Sequence, residues 1–109
     1  MTRLTADFWV RAYLARLRLA DIPAFVISRG DATAGAVLVK INPLDGSACL
    51  MQRTFDLDGN RVWAELASGG EAEVDAAIAR QRSFDPDLWV IEVEDREGRS
   101  LLDEDGLSG

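Results

Sequence analysis

Residues 29–42 read RGDATAGAVLVKIN, and the conformation of the part after Gly35 decides which fold is open to the chain. A helix there would make a strand, glycine loop and helix in succession, the arrangement that turns backbone N–H groups on to a phosphate. A strand there leaves only a turn between two strands. Ala36 to Ile41 is AVLVKI, and its β-branched side chains favour extended backbone. The spacing of Gly30 and Gly35 matches neither the Walker loop nor the dinucleotide fingerprint, and no Gly-Lys-Ser/Thr follows. The stretch therefore reads as a hairpin loop entering a strand, with both glycines supplying unusual backbone angles. Arg29, Asp31 and Lys40 are its candidate ligand residues. Two cations flank an open loop, suited to clamping a small anionic molecule, with Asp31 placed to act as a base.

Working outward, Thr5 to Asp21 reads as a helix. Thr5 is the N-cap, Asp7 lies in the first turn where the dipole favours an anion, and Pro23 stops the helix. On a helical wheel Val10, Tyr13, Leu14 and Leu17 make one apolar face. Phe8, Ala12, Ala15 and Leu19 make a second, separated from the first by Arg11 and Arg18 on one side and Arg16 on the other. One face suffices for packing on a sheet, so the second marks a candidate interface. Ala24–Ser28, Ala36–Ile41, Cys49–Phe55 and Arg61–Leu66 read as strands, with Asp45-Gly46 and Asp58-Gly59 as tight turns. In the fourth strand Trp63 shares a side with Arg61 and Glu65. It is either an exposed contact residue or is covered by one of the chain termini.

Ser68-Gly69-Gly70-Glu71 has the pattern of a capping box opening a helix to about Arg82, with a thin stripe of Val74, Ala77 and Ile78. Asp85-Pro86-Asp87 breaks it, Leu88–Val93 is a fifth strand, and Ser100–Leu102 is a candidate short returning strand. The expected fold is α+β in two layers. A mainly antiparallel sheet of about five strands carries two helices over one face, in the order α-β-β-β-β-α-β. Residues 1–102 form the one domain, and 103–109 an acidic, mobile tail.

A chain of 109 residues that is 48% hydrophobic builds one core without metal or disulfide staples. No apolar run is long enough to span a bilayer. MTRLTADFW lacks the apolar region of a secretory signal, and Cys49 is the single cysteine, so a reducing cytoplasmic setting is expected. The net charge is −7, with +3 in residues 1–55 and −10 in residues 56–109. Such a chain repels nucleic acid and anionic membranes, which makes both poor partners.

The chain has no histidine, which removes Ser-His-Asp and Cys-His catalysis and the usual zinc sites. Cys49 lies in a strand beside Leu50 and Met51 and reads as a core residue. Asp56, Asp58 and Asn60 have the opening spacing of a calcium loop. Arg61 then stands where that loop needs glycine and Ala67 where it needs its last glutamate, so the segment reads as a turn. No metal and no cofactor are expected.

The segments FWVRAYLARLRLADIPAFVISRGDATAGAVLVKIN and LWVIEVEDREGRSLL together resemble short alphaproteobacterial proteins grouped as the domain of unknown function 1491 family. The resemblance runs over nearly the whole chain and implies a one-domain cytoplasmic bacterial protein. It carries no activity and no catalytic residues. The expected function is a non-catalytic interaction module whose partner is another protein or a second copy of itself. Phe8, Ala12, Ala15, Leu19 and Trp63 are its candidate contacts. The alternative is a domain binding an anionic small molecule around residues 29–40.

Overall fold

A computed structural model describes residues 4–104 and 106–107. The chain runs α1 (Ala6–Leu19), β1 (Ala24–Ser28), β2 (Val37–Asn42), β3 (Ser47–Phe55), β4 (Arg61–Gly70), α2 (Glu71–Phe84) and β5 (Trp89–Glu94). The element order and the α+β class are as expected. The stretch after Gly35 is a strand, and it pairs on both sides.

The sheet order is β1-β5-β2-β3-β4. β2, β3 and β4 form an antiparallel meander, joined by turns in which Gly46 and Gly59 take positive φ. β5 then crosses back beneath α2 and inserts between β1 and β2. It is antiparallel to β1 and parallel to β2. The connection from β1 to β2 is therefore not a hairpin; it passes over the end of β5. A parallel strand needs a long crossover, and α2 supplies it.

The sheet is covered on both faces, which corrects the expected two layers to three. Val39, Ile91 and Val93 point to one side, against Trp9, Val10, Tyr13 and Leu17 of α1. Leu38, Leu50 and Val90 point to the other, against Val74, Ala77 and Ile78 of α2. The cause lies in β2 and β5. Both carry apolar residues at successive positions, and a strand apolar on both sides needs cover on both faces.

Thr5 caps α1, accepting from the Phe8 N–H at 3.3 Å. The capping box at Ser68 does not form. β4 stays paired with β3 as far as Gly70, α2 starts directly at Glu71, and the Ser68 hydroxyl donates to Glu65. Ladder bonds win there over a local cap. Asp56 accepts from the backbone of Asp58 and Asn60, which makes that segment an Asx turn.

Residues 95–104 contain no strand. They form a strap across the α1 face, held by Asp95 on Arg99 and by the Tyr13 hydroxyl donating to the Ser100 carbonyl at 2.8 Å. Apolar packing continues past Leu102, where the domain was expected to end, because Leu107 is 2% exposed and belongs to the α1-side core.

Candidate functional site

The glycine-bracketed loop has four of its N–H groups already engaged. Asp31 N donates to the Asp87 carbonyl, Gly35 N to the Asp31 carbonyl, and Thr33 N and Ala34 N to the Asp31 carboxylate at 3.1 and 2.8 Å. What the loop offers outward is carbonyl oxygen. Thr33 O accepts from Ala6 N and Ala32 O from Asp7 N, so the loop caps the amino end of α1. Asp31 O also accepts the Trp89 indole N–H at 2.8 Å. A phosphate loop presents donors, whereas this one presents acceptors and fills its nest of amides with its own carboxylate.

The three candidate ligand residues do not converge. Arg29 lies over the Trp89 ring, 5.3 Å from its centroid, and Asp31 is spent within the loop. Lys40 projects from the other face of the sheet and meets α2. Its side chain is 4% exposed, and its ammonium contacts Glu71 at 2.7 Å, Asp75 at 2.8 Å and Glu92 at 3.3 Å. Asn42 donates to Glu71 and Glu92 and completes the network. Burial alone would lower the Lys40 pKa, but its hydrogen bonds to Asp75, Glu71 and Glu92 outweigh it and hold the pKa above its ordinary value. Two hydrogen bonds and a third ion-pair contact engage the ammonium, so Lys40 is a buried counter-ion that ties β2 and β5 to α2.

This network was not read from the sequence, although its signals were present. Lys40 is the one charge in the apolar run AVLVKI, and Glu71 and Asp75 are four apart on one helical face.

Cys49 donates to Glu65 Oε1 at 3.4 Å. Burial and then the Glu65 carboxylate push its thiol up to about 11, which keeps it protonated at neutral pH and a poor nucleophile. A disulfide reagent at neutral pH is expected to modify it about 100-fold more slowly than an unperturbed thiol. Glu65→Gln should recover part of that rate; a rate equal to that of a free thiol would contradict the assignment.

The two faces of α1 differ as the wheel anticipates. Val10, Tyr13 and Leu17 are buried, while Leu19 is 87% and Phe8 50% exposed, with Ala15 exposed and Ala12 half-buried between them. Trp63 is not part of this surface. Its ring packs 5.5 Å from that of Trp9, and its indole donates to the Leu107 carbonyl at 2.8 Å. Trp9 of α1 and Leu107 thus cover part of it. Beside it an open groove of about 590 Å³ runs between Met51, Trp63 and the strap residues Leu101 and Leu102.

Taken together, the chain is a small α+β protein with a five-stranded mixed sheet between two helices. It belongs to the DUF1491 family of proteins of unknown function, whose model matches residues 4–103. The fold is similar to the crystal structure of a DUF1491 family protein from Caulobacter crescentus. That protein is 42% identical, the match covers 94% of this chain and 97% of the other, and the TM-score is 0.86. It is similar also to an NMR structure of a DUF1491 family protein from the same organism, at 40% identity, 95% and 96% coverage and a TM-score of 0.81. The solution structure of protein Atu0922 from A. tumefaciens matches at 29% identity, 85% and 86% coverage and a TM-score of 0.72. No curated protein gives a significant match. Among the described residues no helix is long and apolar enough to cross a membrane.

Proposed function

We propose that this protein is a non-catalytic interaction module of the bacterial cytoplasm that docks through the outer stripe of α1, with a second copy of the chain as its first occupant. The observation that carries this reading is the exposure of Phe8 and Leu19 on a helix whose opposite face already fills the core. Ala12 and Ala15 lie between the two large side chains and permit close approach of a second helix. Two further observations support a non-catalytic role: the Lys40 ammonium is engaged and the Cys49 thiol is held protonated.

Light scattering over a range of concentrations tests the reading. The wild type should approach dimer mass, and Leu19→Asp should weaken association about 30-fold, the effect of losing one hot-spot side chain. Phe55→Asp, at an exposed apolar residue far from α1 in sequence, should leave the mass unchanged. A wild type that remains monomeric at high concentration ends the homodimer reading.

Salt separates a second copy from an acidic partner. Arg11, Arg16 and Arg18 rim the stripe. Two copies of a chain of net charge −7 repel each other, so salt should strengthen their association, whereas it should weaken docking of the arginine rim on an acidic helix.

A further inference from the structure

On the α1 face, Arg53 of β3 lies against the paired indoles of Trp9 and Trp63, its guanidinium carbon 4.8 Å from each ring centroid. Among the described residues no carboxylate lies within ion-pair distance of it. This recess holds more donors than acceptors. Trp63 Nε1 donates to the Leu107 carbonyl at 2.8 Å, and Arg53 Nη2 reaches the same oxygen at 3.4 Å. Arg53 Nε and Trp9 Nε1 are buried with no partner. One neutral carbonyl thus serves a half-buried cation and an indole, while two further buried N–H groups have nothing to bond. Such orphaned donors are costly to bury, and an acceptor carrying negative charge is the group that relieves them. The Leu107 side chain sits in the adjoining apolar core. A backbone oxygen bound at Arg53 with a leucine side chain packed beside it is what an apolar peptide terminus would present, except that a terminus brings a carboxylate where Leu107 brings a carbonyl. The groove bordered by Met51, Trp63 and Leu101 gives such a peptide a path to the recess.

We propose that the recess of Arg53, Trp9 and Trp63 recognises the carboxylate of a partner's peptide that ends in leucine or a similar apolar residue, and that the chain's own Leu107 closes the site in cis. The site lies apart from the outer stripe of α1 and does not depend on it. Burial and the nearby Arg61 lower the Arg53 pKa to about 10, and a bound carboxylate would reverse that shift, since it stabilises the cation.

The test uses the full chain carrying Leu107→Ala, which removes the plug and leaves the tail in place. The probe is acetyl-Asp-Gly-Leu with a free carboxylate, compared with the same peptide as its amide, and binding is followed by tryptophan fluorescence. The acid should bind the variant at least tenfold more tightly than it binds the wild type, and at least tenfold more tightly than the amide does. Arg53→Gln in the variant should abolish the difference between acid and amide. Equal binding of acid and amide, or no binding of the acid to folded variant, overturns the proposal. Should Leu107→Ala not fold, the milder Leu107→Val chain is titrated with both peptides while the indole N–H resonances of Trp9 and Trp63 are followed. A saturable shift of the Trp9 signal with the acid alone supports the site, and its absence overturns it.

Discussion

Gly30→Ala is expected to destabilise the protein by about 3 kcal/mol, the upper range for forcing atoms into a packed site. A Cβ on Gly30 would run into the Asp87 carbonyl oxygen and would also lie 2.6 Å from Leu88 C and 2.7 Å from Trp89 Cδ1. None of these atoms has room to give way. Asp87 O accepts from Asp31 N, and the Trp89 indole donates to Asp31 O, so backbone and ring are pinned on both sides. Gly35 is confined in the same way, with Asp87 O at 2.5 Å from its added Cβ. Neither glycine has positive φ, so what requires glycine here is close approach to the entry of β5. Gly59 is the control. It has φ +82 and open space around it, and Gly59→Ala should cost about 1 kcal/mol through backbone conformation alone. Urea midpoints measure both variants. If Gly30→Ala proves no worse than Gly59→Ala, the steric reason given for the loop fails.

Lys40→Met should cost about 3 kcal/mol, the low end for breaking a buried ion pair. It leaves Glu71, Asp75 and Glu92 facing one another without their cation. The low end applies because Glu71 and Asp75 are 42% and 56% exposed and regain some water, while Glu92 is only 14% exposed. The sharper reading comes from a double-mutant cycle. Glu92→Gln should destabilise the wild type but stabilise the Lys40→Met protein, because there it removes repulsion. The same sign in both backgrounds would show that the three carboxylates are not coupled through Lys40.

Alkaline pH provides an independent check. The folded-state pKa of Lys40 is raised above its ordinary value of 10.5, so its contribution is complete below that pH and is lost as pH climbs through the folded value. Burial raises the Tyr13 phenol above 10.0 as well, and that loss is common to wild type and variant. The stability difference between wild type and Lys40→Met should therefore stay level to about pH 10 and shrink above it.

Much of the fold was legible because local signals agreed with the tertiary outcome. AVLVKI is β-branched and extended, Thr5 caps where it should, and Asp-Gly pairs turn where the meander turns. The position of β5 was not taken from the sequence. Hairpin logic places consecutive strands side by side, whereas the gap between β1 and β2 is filled by a strand some fifty residues later. The run Leu88-Trp89-Val90-Ile91 carried the hint, since an unbroken apolar run marks a strand buried on both faces. That feature also explains why the helices lie on opposite sides.

At the candidate site, the two faces of α1 were visible from periodicity alone. The surroundings of Trp63 and Lys40 depend on partners distant in the chain. In the tail one leucine among acidic residues decided the packing, and composition weighted the charges instead.

The most direct test of docking through α1 is an isotope-filtered NMR experiment on a mixture of labelled and unlabelled protein. Intermolecular contacts should join the Leu19 methyl groups of one molecule to Phe8 and Ala12 of another. Contacts that arise only elsewhere, or none at a concentration where the protein has dimer mass, would contradict the interface proposed for this helix.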